Sequence, residues 1–397
     1  MASRDRIKKF VARYVESQEN IYSTQEILDS GCIPRLEGYT VHPGKVSDSI
    51  YGGFGQYTDK ESGEIRLFEN PPLETRDGVP LRIMVRTEKI STHDINRGEI
   101  PFKDQILAEN HNFMRKLVAD DIGTSQFDLA PRESPHYDNA VVIAAENLAQ
   151  IPLENVLRGY MAKSSTSTSL YQHFMNGKRS FCGHELPDNL VPNGVLPYVM
   201  DTPSTKSERD ESVSPQELFD TGVCTPQQYG QIRNASLVSF GRASQFLREK
   251  GLILVDTKTE HGINKEGEIV SQDELFTMDS SRFWRLDDYQ QQQAFFERGN
   301  EDGLVTYLKE TQPGIQEKDY IVDGRVIMCP KSFSKEFARG FSKGEEGYTD
   351  DQRVEIAVRY VEGIEELLGK KFVPDERQWY KRVITGIEAV LDTLVLQ

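Results

Sequence analysis

The chain has 397 residues, 37% of them hydrophobic and 28% charged, enough to bury the core of one large domain or two ordinary ones. A formal net charge of −16 repels nucleic-acid phosphates at long range, so the composition argues against a nucleic-acid binder and confines any phosphate site to a local basic pocket. No apolar run is long enough for a membrane span, no secretory core follows the Met-Ala-Ser-Arg start, and the four scattered cysteines form no CxxC pair; the expectation is a cytoplasmic protein without disulfide framework or zinc site.

In chain order, residues 3–30 are predicted helical from the spacing of Ile7, Phe10, Val11, Tyr14 and Val15. From Gly38 to Val85 short apolar runs broken by Gly, Pro and Asp predict antiparallel strands and turns. A helix is predicted over 104–119. The apolar runs Ala140–Ala145 and Leu153–Tyr160, with Pro152 between them, predict a strand pair or a strand-to-strand crossing and the hinge between two lobes. Lys178–Ser214, rich in Gly, Pro, Asn, Asp and Ser, reads as a long functional loop. A helix over 226–250 stops at Gly251. Leu252–Val255 then starts a buried strand, and Ile269-Val270 starts its partner. Helices are predicted over 286–310, 351–369 and 375–394. The last carries Trp379, Tyr380, Val383, Ile384, Ile387, Val390, Leu391 and Leu394. That apolar face packs either on the body or on a second copy of the chain, which would make a homo-oligomer.

The chemistry concentrates in a few segments. Alternation along a strand puts Asp256, Lys258 and Glu260 on one face. Such a row is costly to bury without a ligand; standing alone, it would read as an exposed salt-bridge ladder. A hairpin brings Asp273 near Glu260, and converging carboxylates repel unless a divalent cation separates them. Mg²⁺ takes one or two carboxylates together with nucleotide phosphates and water. Asp279-Ser280-Ser281-Arg282 combines hydroxyl donors and a guanidinium suited to a phosphate, and also suits an Asx turn capping a short helix. Arg158, inside an apolar run, needs an anionic partner if buried.

Taken together these segments resemble the SAICAR synthetase family. Val255-Asp256-Thr257-Lys258-Thr259-Glu260-His261-Gly262 is similar to VDxKxEFG, and Asp273-Glu274 through Arg282-Phe283-Trp284 to DExxTPDSSRFW. Ile151 to Tyr160 resembles IPxExVxRGY, with Ser164 at the following GS step. Thr202-Pro203-Ser204-Thr205-Lys206 with Asp210-Glu211 resembles TPSTK…DE. Gly44-Lys45-Val46 with Asp48 and Tyr51 resembles GKVRDIY; Ile90–Asp94 and Ile100–Lys103 resemble ISAFD and IPxKG. The matches run in the same order from Gly44 to Phe372, and it is their number and order that carry the resemblance.

The resemblance implies an ATP-dependent ligase that activates the carboxylate of carboxyaminoimidazole ribotide (CAIR) as an acyl phosphate and joins it to L-aspartate, giving SAICAR, ADP and phosphate in purine biosynthesis. It implies Glu260 and Asp273 as Mg²⁺ ligands, and Gly44, Lys45, Glu154, Glu260 and Asp273 on ATP. It implies Arg158, Ser164 and Arg282, with Asp279 and Ser280, around the ribotide phosphate. Lys258 and Asp256 fall at the transferring phosphoryl group, while Lys206 with Asp210, Ser91 with Asp94, and Lys103 belong to loops shaping the aspartate and imidazole sites. Read without the family, Lys103 and Lys206 would be surface lysines. The implied fold is α+β and two-lobed: an antiparallel N-terminal lobe (1–142) with the Gly-rich phosphate loop, a larger mixed C-terminal lobe (143–397), and ATP in the cleft between them.

The chain departs from the pattern at several points. Ser47 replaces the Arg of GKVRDIY and Ser49 is an extra residue; His261 replaces Phe, and Met278 replaces Pro. Glu146-Asn147 replaces a lysine pair at the hinge, and the GS step reads Lys163-Ser164-Ser165. These changes leave two rivals: a ligase of the same scaffold with another carboxylate or amine, and a non-catalytic nucleotide-binding relative. Intact Glu260 and Asp273 argue against the second.

Overall fold

A computed structural model describes residues 2–17, 23–59, 62–92, 95–129, 139–206, 211–312, 315–332, 335–342, 344 and 346–395. The predicted N-terminal helix is two helices. Ala2–Ser17 buries Ile7, Val11 and Tyr14, and Thr24–Asp29 starts at a Ser23–Glu26 capping box. Residues 18–22 lie outside the described set.

Three antiparallel strands, Ser47–Tyr51, Leu81–Arg86 and Val142–Glu146, form the first sheet. Alternation gives it two unlike faces. Ile50, Leu81, Ile83 and Val85 turn towards Trp379, Val383, Ile387, Val390 and Leu391 of the terminal helix Trp379–Leu394. The apolar stripe of that helix therefore packs on the body of the chain. The opposite face of the sheet carries Ser47, Ser49, Tyr51, Arg82 and Met84, in register as the pairs Ser49–Met84 and Tyr51–Arg82.

Only Asn147 and Leu148 separate the first sheet from the second, so the predicted crossing is a passage between sheets, and position 142 is the first residue of a strand of the first sheet. Gly262 makes the passage possible: a Cβ there would lie 2.6 Å from that of Leu148. The second sheet has six strands. At its centre runs Leu252–Ile263, paired with Ala149–Tyr160 on one side and with Ile269–Gln272 and Ser281–Arg285 on the other.

The stretch predicted as a loop over 178–214 is partly strand. Val195–Asp201 and Ser204–Thr205 line the outer edge of Ala149–Tyr160. Pro197 is tolerated there because an edge strand has a side without ladder bonds. Helix Pro226–Glu249, started by a Thr225–Gln228 capping box, covers the back of the sheet with Phe240, Ala243 and Leu247. It ends, as predicted, with Gly251 in the left-handed region at φ 76°. The helix expected over 286–310 is Leu286–Glu297 followed by Glu301–Thr311, broken at Gly299 (φ 64°). Helices together with the antiparallel three- and six-stranded sheets, and four two-stranded ones among the described residues, make the α+β class. No helix among the described residues is long and apolar enough to cross a membrane.

Candidate active site

The cleft between the two sheets has two connected parts. The larger, about 980 Å³, reaches from Gly44 and Lys45 to Glu260 and Asp273. The smaller, about 250 Å³, is centred on Arg158, Asp256 and Arg282. Ligand pockets of a few hundred to about 1,000 Å³ suit small molecules of nucleotide size. The strand Leu252–Ile263 links the two parts, because Asp256, Lys258 and Glu260 share its cleft-facing side as the two-residue period requires.

In the smaller part Asp256 is gripped by two arginines. Arg282 Nε donates to both of its oxygens at 2.9 and 3.0 Å, with Arg282 Nη2 also on Oδ2. Arg158 Nη1 approaches Oδ2 at 3.4 Å while its Nε donates to Thr202 Oγ1 at 3.0 Å. Burial pushes the Asp256 carboxyl up, but Arg282 and then Arg158 outweigh it and hold it below the usual range. Two guanidiniums against one carboxylate leave positive charge for an anion. Ser164 and Ser280 stand on the same wall, and the Ser164 hydroxyl accepts from the amide of Thr166 at 3.2 Å.

At the junction Lys258 Nζ lies 2.6 Å from Glu154 Oε1 and 2.9 Å from Glu260 Oε1. The second carboxylate on Lys258 is thus Glu154, from the neighbouring strand, and not Asp256, which the arginines occupy. Burial works against the ammonium, yet Glu260 and Glu154 raise its pKa, so Lys258 stays charged. Lys206 pairs with the other oxygen of Glu260, tying the Thr202–Lys206 loop to the central strand. Burial opposes ionisation of Glu260, but Lys258 and Lys206 hold its pKa down at about 2.

Asp273 is different. Burial, Glu260 and Glu274 push its carboxyl up to about 6, and its backbone sits in the left-handed region at φ 62°. Glu154 and Glu260 pair with Lys258 and Lys206, whereas Asp273 has no ion-pair partner among the described residues, which fits a cation. Among the described residues no group of three or more metal-ligating side chains could hold a metal by itself. The donor set fits a hard ion completed by ligand oxygens.

Gly44 needs its missing side chain, since a Cβ would fall 2.0 Å from the Ser47 carbonyl oxygen. Its amide donates to Asp48 Oδ1 at 3.3 Å, and Thr24 Oγ1 donates to Asp48 Oδ2 at 2.6 Å, so Asp48 braces the loop from behind. Lys45 and Ser91 line the larger part. Lys103 is no surface lysine: it is fully buried, with Nζ 2.7 Å from Asp279 Oδ2. It reaches the cleft only through Asp279, whose other oxygen accepts from Tyr360 at 2.6 Å. Burial opposes ionisation of Asp279, but Lys103 and then Lys335 hold its pKa at about 2. Asp94 and Asp210 lie outside the described residues.

Among the described residues, three Lys or Arg side chains of the cleft escaped the sequence reading. Lys335 and Arg339 line both parts, and Lys335 Nζ is 3.9 Å from Asp279. They sit on the short helix Lys335–Arg339, where charged residues read as solvated surface; their i, i+4 spacing on one face was the available signal. Arg82 joins the cleft through strand register, which sequence does not print.

With the geometry in view, comparisons with known proteins agree with one another. Residues 74–312 match the family model described as SAICAR synthetase. The chain is 32% identical over 298 residues to a putative phosphoribosylaminoimidazole-succinocarboxamide synthase 2 of Mesorhizobium japonicum, covering 74% of this chain and 85% of that one. It is 31% identical over 309 residues to the phosphoribosylaminoimidazole-succinocarboxamide synthase of Bacteroides thetaiotaomicron, covering 74% and 84%. In fold it resembles the SAICAR synthase of Saccharomyces cerevisiae complexed with SAICAR, with TM-score 0.58 and 23% identity over 85% of this chain and 98% of that one. It also resembles a SAICAR synthetase in complex with ADP, with TM-score 0.53 and 19% identity over 84% and 100%.

Proposed function

The chain belongs to the SAICAR synthetase family, and from that premise we propose that it is an ATP-dependent ligase joining L-aspartate to CAIR through an acyl phosphate, giving SAICAR, ADP and phosphate in purine biosynthesis. One observation carries the reading: a single strand presents Asp256, Lys258 and Glu260 to one cleft, with a guanidinium pair at one end and a carboxylate pair at the other.

Amide formation from a carboxylate needs a leaving group. A CAIR carboxylate oxygen attacks the γ-phosphorus of ATP, and ADP departs. The aspartate amine then attacks the acyl carbon, and phosphate departs with that oxygen. Positioning and charge neutralisation dominate such a transfer. Arg158 and Arg282, aligned by Asp256, receive the ribotide phosphate, with Ser164 and Ser280 beside it. Lys258, held charged by Glu154 and Glu260, stabilises the moving phosphoryl group. Lys206, with Asp210, and Ser91, with Asp94, shape the aspartate and imidazole sites, while Lys103 aims Asp279. Gly44 and Lys45 cradle the ATP phosphates. Glu260 and Asp273 would hold Mg²⁺, which supplies charge to gather those phosphates. Two lobes, passing from the first sheet to the second at Asn147 and Leu148 and not at the expected residue 142, and a cytoplasmic location complete the proposal.

A coupled assay omitting CAIR, aspartate or ATP in turn tests the reaction; turnover without any one of them rejects it. CAIR labelled with ¹⁸O in its carboxylate should deliver one label to phosphate per turnover. Unlabelled phosphate overturns the acyl-phosphate route. Lys258→Met should still bind the nucleotide yet transfer label far more slowly, and full-rate transfer removes Lys258 from the step.

A further inference from the structure

In the reading above, the nucleotide lies in the larger part of the cleft with its phosphates between the Gly44 loop and Asp273. Arg86 on the first sheet pairs with Glu274 beside Asp273; four residues along the same strand, at the end that then takes the base, stands a cation that the ligase chemistry does not use. Arg82 faces Tyr51 in register on the first sheet, half-buried on the cleft wall. Its Nε and Nη2 both donate to Ser49 Oγ, at 3.1 and 2.9 Å. Among the described residues no carboxylate pairs with it. Arg86, Arg158, Arg282, Lys206 and Lys258, by contrast, each have a carboxylate partner. A guanidinium has five donors and no acceptor capacity, and one hydroxyl meets only part of that demand.

The surroundings suit a purine. Met84, two residues along on the same face, packs with Ile143 and Ala145 into a small buried apolar patch against which a ring can rest. Gln150, in register with Gly262 and so beyond Glu260 on the second sheet, stands on the facing cleft wall. Burial and Arg82 push the His42 ring below its ordinary pKa, against a smaller pull from Asp48. A glutamine amide matches the donor–acceptor edge of adenine. An arginine fork matches two adjacent acceptors, which guanine presents and adenine does not.

We infer that Arg82 is a specificity-determining residue for the nucleotide: its fork, aimed by Ser49, donates to the adjacent acceptors of a guanine base, so the cleft takes guanine nucleotides alongside adenine ones. This rests on the nucleotide lying in the cleft as proposed above. The test is calorimetric titration of the full-length protein with ADP and with GDP in Mg²⁺, without co-substrates. The wild type should bind GDP within about tenfold of ADP. A good bidentate contact contributes roughly 5- to 150-fold in discrimination. Arg82→Met should therefore weaken GDP by about that factor and leave ADP within about threefold. Arg82→Lys, which keeps the charge and drops the fork, should lose GDP in the same way. Ser49→Ala should give the same split in smaller measure while changing no charge, which covers the case in which a charge-altering variant folds poorly. Failure of the wild type to bind GDP overturns the inference while ADP binding preserves the ligase reading. Equal weakening of both nucleotides also overturns it, because stacking rather than edge recognition would then be at work. If neither nucleotide binds, both readings fall.

Discussion

Replacing His261 with phenylalanine should make the fold resistant to acid. The His261 side chain is 1% exposed, and neither ring nitrogen has a hydrogen-bond partner among the described residues. Burial, only partly offset by Glu260, pushes its pKa down to about 4, against about 6.5 in an unfolded chain. Because the folded value lies below the unfolded one, the unfolded chain takes up the proton first as pH falls. The stability linked to this group is therefore complete above about pH 7 and is lost as pH falls from about 6.5 towards 4. At about 1.36 kcal/mol per unit, the loss is about 2 kcal/mol at pH 5 and about 3 kcal/mol at pH 4. Phenylalanine keeps a ring of similar shape and removes both the titration and two unsatisfied buried nitrogens. Urea unfolding of both proteins at pH 7.5 and pH 5, in a chelator, reads the difference directly. His42 and His111 are also held below their ordinary values, but they are common to both proteins and cancel in the comparison. The wild type should lose about 2 kcal/mol more than the variant between the two pH values. Parallel losses would show that His261 is not held neutral in the fold.

Other consequences can be checked in the same protein. Glu260→Gln should cut turnover strongly at ordinary Mg²⁺ in a folded protein, and near-normal activity would remove Glu260 from the metal. Arg282→Ala loses a charge-assisted contact contributing roughly 1.5–3 kcal/mol, so the KM for CAIR should rise by about one to two orders of magnitude with the KM for ATP little changed. An equal rise for ATP would move Arg282 to the nucleotide. Tyr360→Phe removes a buried hydrogen bond to Asp279 and should lower kcat/KM by roughly tenfold or more. Unchanged kinetics would mean that Lys103 alone fixes Asp279.

Much of this protein is legible in one dimension. The row Asp256, Lys258, Glu260 faces one cleft because a strand repeats every two residues, and its apolar start at Leu252 announced a buried strand. Gly251 closed its helix as expected, and the hairpin that carries Asp273 back to Glu260 follows from short-range turn chemistry. These features depend on neighbours a few residues away, which is the range over which sequence pattern speaks.

What the sequence left open depends on register and on which sheet a strand joins. Glu154, and not Asp256, shares Lys258, because cross-strand neighbours are set by pairing. Lys103 looks like a surface lysine until Asp279, far along the chain, is placed against it at full burial. Val195–Asp201 has the composition of a loop and becomes a strand because the edge of Ala149–Tyr160 offers free ladder groups. The terminal helix lays its apolar stripe on the first sheet because Ile50, Ile83 and Val85 present an apolar face, which it covers together with Ile27, Leu28 and Leu36. In each case burial and pairing of distant groups decide the outcome. Those terms arise only when the chain closes on itself, since a charge is driven to a partner by the desolvation cost of the fold it sits in.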